Sequence, residues 1–78
     1  MIEKIAQILG EINSFKAESK ESLENFRVTY ISKKGVIPAL FADFKQVAPE
    51  LRKELGIKLN ELKNRAQEVF DEQMQQFE

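Results

Sequence analysis

Cations supply most of the chemistry this sequence can offer. Arg27, Lys33, Lys34, Arg52, Lys53, Lys58, Lys63 and Arg65 all fall between positions 27 and 65. A set of this size can neutralise several phosphates, and binding of that kind weakens steeply as salt is added. Such contacts position a nucleic acid without reading its bases. Residues 27–65 hold nine Lys and Arg against four carboxylates, residues 1–26 hold three Lys against five Glu, and residues 66–78 hold four acids and no base. The formal net charge of -1 thus hides a basic middle between two acidic ends, a distribution suited to a polyanion met at one place. The same pattern also fits an ordinary solvated surface. Lys33 and Lys34 would be favourable at the last turn of any helix, where they complement its dipole.

No catalytic constellation accompanies these cations. The chain has no cysteine and no histidine, so disulfides, thiol nucleophiles, imidazole bases and the usual zinc ligands are excluded together. Its glycines are Gly10, Gly35 and Gly56, too far apart for a phosphate loop or a dinucleotide-binding turn. The serines lack a His or Cys partner, and a lysine base would need a buried pocket that a thin core hardly provides. Asp71 and Glu72 are neighbours that project to different sides of a helix. The sequence therefore predicts no catalytic residue and no metal ligand.

The elements that must position the cations are helical. With 78 residues the chain makes one domain, residues 1–78, and buries only about 60% of its unfolded surface. Its first residues show no basic stretch followed by an apolar one, which predicts no secretory signal. The longest near-apolar run, Val36 to Ala42, is far below the roughly 20 residues a bilayer needs. A cytoplasmic protein without membrane contact is the expectation.

Ile2, Ile5, Ile8, Leu9, Ile12 and Phe15 recur at helical spacing and predict a first helix over residues 2–16. Ser19 is a suitable N-cap for a second helix over about 20–33, with Leu23, Phe26 and Tyr30 on one face. Gly35 would end it as a left-handed C-cap, making Arg27 to Gly35 the tip of an arm. Pro38 suits a first helical position, so 39–47 reads as a short helix with Leu40, Phe41 and Phe44 turned inward.

Pro49 opens a last helix that nothing interrupts before Glu78. Its seam is Leu51, Leu55, Leu59, Leu62, Ala66, Val69, Gln73 and Phe77, close to a coiled-coil repeat. Gly56 interrupts it and invites a close approach, for which Tyr30 is the expected neighbour. Gly56, Asn60 and Lys63 should line one flank of the seam, with Lys58 and Arg65 on the other. The expected fold is all-α, an antiparallel helical hairpin or coiled-coil arm with a short helix at the tip.

Three pieces of this sequence, Arg27-Val28-x-Tyr30-Ile31-x-Lys33-Lys34-Gly35, then Pro49-Glu50-x-Arg52, then Gly56-x-x-x-Asn60-x-x-Lys63, together resemble the N-terminal domain of the bacterial phenylalanyl-tRNA synthetase alpha chain. Ser32 stands where that family usually has glycine, and Ile37 where it tends to have leucine. The resemblance implies a coiled-coil arm that contacts tRNA(Phe) in an alpha2 beta2 enzyme with a beta subunit as partner. It implies ATP and magnesium (Mg2+) as requirements of the parent enzyme and none for this part, whose chain would be a fragment lacking the class II catalytic motifs. Carried onto this sequence, it makes Arg27, Lys33, Lys34 and Lys63 tRNA backbone contacts, to which charge placement adds Lys58 and Arg65. Tyr30, Gly35 and Gly56 would hold the hairpin, and Asn60 has no assigned role. A structural or protein-interaction coiled coil without nucleic-acid binding is the competing reading.

Overall fold

The computed structural model describes residues 2–77. It is built of helices, with no strand among those residues: α1 (Ile2–Ser14), α2 (Lys20–Phe26) running on into a π-helical turn (Arg27–Ile31), α3 (Val36–Phe44) and α4 (Pro49–Gln76). At about 1.5 Å per residue the 28 residues of α4 span about 42 Å, close to the molecule's long dimension of 44 Å. α4 is therefore a spine against which everything else packs.

Side-chain neighbours fix the directions. Ile2 shares a cleft with Leu51 and Leu55, Asn13 bonds Arg65, and the backbone at Phe15 and Ala17 bonds Gln73. α1 and α4 thus run in parallel. The limb between them runs the opposite way, since Ile37 lines a groove with Lys63 while Phe44 lies against Gly56. The arm is a helical hairpin, with the α2–α3 limb antiparallel to α4 and α1 laid alongside.

The core follows the apolar stripes. Ile5, Ile8 and Ile12 of α1 meet Leu55, Leu59, Leu62, Ala66 and Val69 of α4, and Phe26, Ile37 and Leu40 close the third side. Ile12, Leu23, Leu59 and Leu62 are the largest side chains fully withdrawn from solvent. One seam position differs from expectation. Leu51 is 50% exposed because only the start of α1 and the end turn reach the first turn of α4. Gln73 is half-buried, its amide donating to the Phe15 carbonyl at 2.8 Å and accepting from the Ala17 N–H at 2.6 Å.

Several boundaries also shift. α1 ends at Ser14 rather than 16, as the Phe15 N–H reaches back to the Ile12 carbonyl at 3.2 Å and the Phe15 ring stacks on Phe26, centroids 4.5 Å apart. Ser19 caps α2 as expected, within a reciprocal box in which Ser22 answers its backbone N–H. The second helix ends at Ile31, short of 33, through a π turn whose last bond runs from the Ser32 N–H to the Arg27 carbonyl at 2.9 Å. The Ser32 hydroxyl donates to the Val28 carbonyl at 2.7 Å, giving a partner to a carbonyl that the ending helix leaves free.

Gly35 is not a left-handed cap. Its φ of -79° and ψ of 177° are extended, and no described residue has positive φ. It is the N-cap of α3, which starts at Val36 rather than 39. Pro38 falls in the first turn, where its missing N–H would have had no intrahelical partner. Arg27 to Gly35, expected as the tip, instead lies near mid-length beside residues 63–67 of α4, because Ile31 within it and Ile37 just after it share a groove with Lys63 and Gln67. The end of the molecule is closed by the turn between α3 and α4. The expected run of the last helix to Glu78 ends outside the described residues.

Candidate nucleic-acid interface

Each cation is placed by a different local device. Arg27 begins the π turn and is held by Glu24 one turn earlier, its Nε donating to Oε1 at 2.9 Å and its Nη2 to the same oxygen. The hydrogen bond and then the charge of Arg27 hold the Glu24 carboxyl below its ordinary range. Arg65 is tied across the hairpin to Asn13 Oδ1 at 2.6 Å and along α4 to Glu68 at 3.3 Å. Arg52 donates to the carbonyls of Val47 and Lys45, both at 3.1 Å. Its guanidinium ties down the end turn.

The lysines are different. Lys33 and Lys34 are exposed in the turn between Ile31 and Gly35. Lys45 and Lys63 line a groove of about 510 Å³ between α3 and α4, whose half-buried or buried floor includes Ile31, Ile37 and Phe41. None of these four lysines is within ion-pair distance of a carboxylate among the described residues. Lys58 is half-buried in a small cleft with Ile5, Leu9 and Glu61.

The structure thus sorts the expected residues into two flanks. Lys63 faces α3, beside the Lys33-Lys34 turn. Lys58 and Arg65 face α1, as the helical spacing along α4 predicts. Asn60 is exposed. Tyr30 packs on Phe26 at 5.0 Å and lines a cleft with Ile8 and Glu11. It does not cover Gly56, whose neighbour is Phe44: a methyl added there would lie 3.5 Å from the Phe44 ring. A methyl at Gly35 would come within 2.8 Å of the Tyr30 carbonyl carbon and 3.0 Å of two backbone oxygens. The π turn folds back that closely on the start of α3.

Sequence reasoning missed Lys45, Asn64 and Gln67 in the groove. Lys45 and Gln67 are visible in the sequence as polar neighbours of the apolar stripes, but only the limb's direction brings them together. The pairing of Arg52 was missed as well, although an arginine three residues into a helix after a tight turn is well placed for the preceding carbonyls. No described helix is long and apolar enough to cross a membrane.

The family model described as "Aminoacyl tRNA synthetase class II, N-terminal domain" matches residues 18–78. The chain is 51% identical over its full 78 residues to a phenylalanine--tRNA ligase alpha subunit of Bacteroides fragilis, covering 23% of that relative. It is 49% identical over 74 residues to the same subunit of Cytophaga hutchinsonii, covering 92% of this chain and 22% of the relative. With the Porphyromonas gingivalis subunit it shares 50% over 68 residues, 87% of this chain and 20% of the relative. The chain therefore spans less than a quarter of the length of these relatives. No solved structure matches it. By the family match and by these likenesses, the chain belongs to the N-terminal domain family of class II aminoacyl-tRNA synthetases, in the form resembling the phenylalanine--tRNA ligase alpha subunit.

Proposed function

We propose that the chain is a tRNA-binding arm that helps position tRNA(Phe) for ATP-dependent phenylalanylation carried out by other parts of the parent ligase. The supporting observation is that the exposed Lys45 and Lys63 line one groove while the exposed Lys33 and Lys34 lie in the turn between its residues Ile31 and Ile37, and none of the four has a carboxylate partner among the described residues. In this reading Lys33, Lys34 and Lys63 meet phosphates directly. Arg27 joins them by exchanging the Glu24 carboxylate for a phosphate, a low-cost exchange because the pair is exposed. Lys58 and Arg65 add to the field from the opposite flank. Tyr30, Gly35 and Gly56 keep the hairpin in shape. The arm is one domain, residues 1–78, of a cytoplasmic alpha2 beta2 enzyme with a beta subunit as partner. Among the described residues no three His, Cys, Asp or Glu side chains gather as a metal site, and in this reading ATP and magnesium are requirements of the parent enzyme.

The test is a titration of the chain with tRNA(Phe) and with a non-cognate tRNA at several salt concentrations. Salt-sensitive binding of similar strength to both is expected, because phosphate contacts carry no sequence information. In a Lys33→Glu, Lys34→Glu variant the slope of log affinity against log salt should fall by about 2, roughly 1 per lost phosphate contact. A structural coiled coil predicts the reverse: that double change is silent, and Leu62→Asp, which puts a charge into the core, is ruinous.

A further inference from the structure

We infer that the groove between α3 and α4 is a nucleotide pocket, taking one unpaired nucleotide of the bound tRNA with its base against Phe41 and its phosphate on Lys45 and Lys63. This rests on the tRNA reading above and deepens it from phosphate positioning to the capture of a single base.

Size comes first. The groove holds about 510 Å³, inside the range of roughly 300–1,000 Å³ typical of small-ligand sites. Its floor is apolar, with Ile31, Ile37 and Pro38 around the half-buried Phe41 ring, and unstacked RNA bases are commonly held on such side chains. No carboxylate lines it, while Lys45 and Lys63 do. An occupant with an apolar face and an anionic end therefore fits these side chains.

An acidic helix would satisfy the lysines equally well. The two amides decide between them. Asn64 and Gln67 are exposed, three residues apart on α4, and both line the groove. One hydrogen of the Gln67 amide goes to Asp71 at 3.0 Å, which leaves its carbonyl oxygen to accept. Asn64 makes no side-chain hydrogen bond to a described residue. Amide side chains pair with base edges through both their donor and their acceptor. An apolar helix face pressed into the same groove would bury them without partners, which costs free energy for each group. The exposed Lys33 and Lys34 follow Ile31 and precede Ile37 in the chain, both groove residues, and in this proposal they take a neighbouring phosphate.

The experiment uses the isotope-labelled 78-residue chain and a tRNA(Phe) transcript at low salt, with a Glu-rich helical peptide as the comparison probe. The Asn64 and Gln67 side-chain amides and the Phe41 ring should shift with tRNA and not with the peptide. Ala42→Phe fills the groove from an exposed position without removing any core side chain, and a second variant joins Asn64→Ala to Gln67→Ala on the surface. Each should lower tRNA affinity about tenfold, the scale of one lost base contact, while helical content and melting stay as in the parent. Unchanged affinity in both variants, with loss still seen on reversing Lys33 and Lys34, overturns the pocket and leaves the phosphate-positioning arm standing. Shifts with the peptide and none with tRNA also overturn it. Absence of any salt-sensitive tRNA binding by the parent chain overturns pocket and arm together.

Discussion

At Gly35 and Gly10 the same residue type has opposite consequences. A methyl on Gly35 would press on the Tyr30 carbonyl group and the Ser32 oxygen, all backbone atoms that cannot swing aside. Gly35→Ala should therefore destabilise by about 1–3 kcal/mol, the usual scale for forced overpacking, read as a lower denaturation midpoint. Gly10 lies within α1 with nothing inside 4 Å of such a methyl. Gly10→Ala should stabilise by about 0.5–1 kcal/mol, through helix propensity and a less flexible unfolded chain. Both glycines look alike in sequence. What separates them is a backbone approach set by the π turn, and no spacing of apolar residues announces a π turn.

Tyr30 gives a second prediction at this scale. Burial first, and the Glu11 carboxylate second, hold its hydroxyl above the ordinary value of 10.0. A raised acid favours its protonated form in the folded state. Its contribution to stability is thus complete below the unfolded pKa and is lost as pH rises through the folded one. The chain has one Tyr and no Trp, so alkaline titration of phenolate absorbance reads this group alone, and its midpoint should fall when the chain is unfolded. The melting temperature should also decline more steeply above about pH 10 in the parent than in Tyr30→Phe.

At the scale of elements, the long helix was legible from the sequence because its signals agree: Pro49 and Glu50 open it, and Leu55, Leu59, Leu62, Ala66 and Val69 keep helical spacing on one buried face. The flanks were legible too, since Lys58, Lys63 and Arg65 fall where 100° per residue puts them. The limb opposite was harder. Its cations cluster at a glycine that reads as a helix end, whereas the chain uses Gly35 to begin a helix. Placing Lys45 and Lys63 together depends on the direction of α3, which is a tertiary fact. Gln73 belongs here as well, a polar residue in an apolar seam that bonds the Phe15 carbonyl and the Ala17 N–H. It pins the link between α1 and α2 to the far end of α4. Gln73→Leu keeps the seam apolar but leaves two part-buried backbone groups unpaired, which costs about 1–3 kcal/mol. Amide hydrogen exchange at residues 15–17 should quicken more than that in the middle of α4.

Across the whole molecule, the parallel course of α1 and α4 gives the spine two unlike sides. One carries Lys45 and Lys63 beside the Lys33-Lys34 turn, and the other carries Lys58 and Arg65 against α1. If tRNA met only a diffuse positive field, any two reversals of equal charge would weaken binding equally, because net charge acts at long range. If it meets the α3 side, position matters. Lys45→Glu with Lys63→Glu changes the net charge by the same amount as Lys58→Glu with Arg65→Glu, so the comparison isolates placement. The first pair should lower tRNA affinity at low salt by about tenfold or more and reduce the salt slope by about 2, whereas the second should leave the slope nearly unchanged. The second pair also removes the Asn13 bond, so its melting temperature must be measured alongside. Equal losses from the two pairs would assign binding to the overall field of the basic middle, and a larger loss from the second would move the interface to the α1 side.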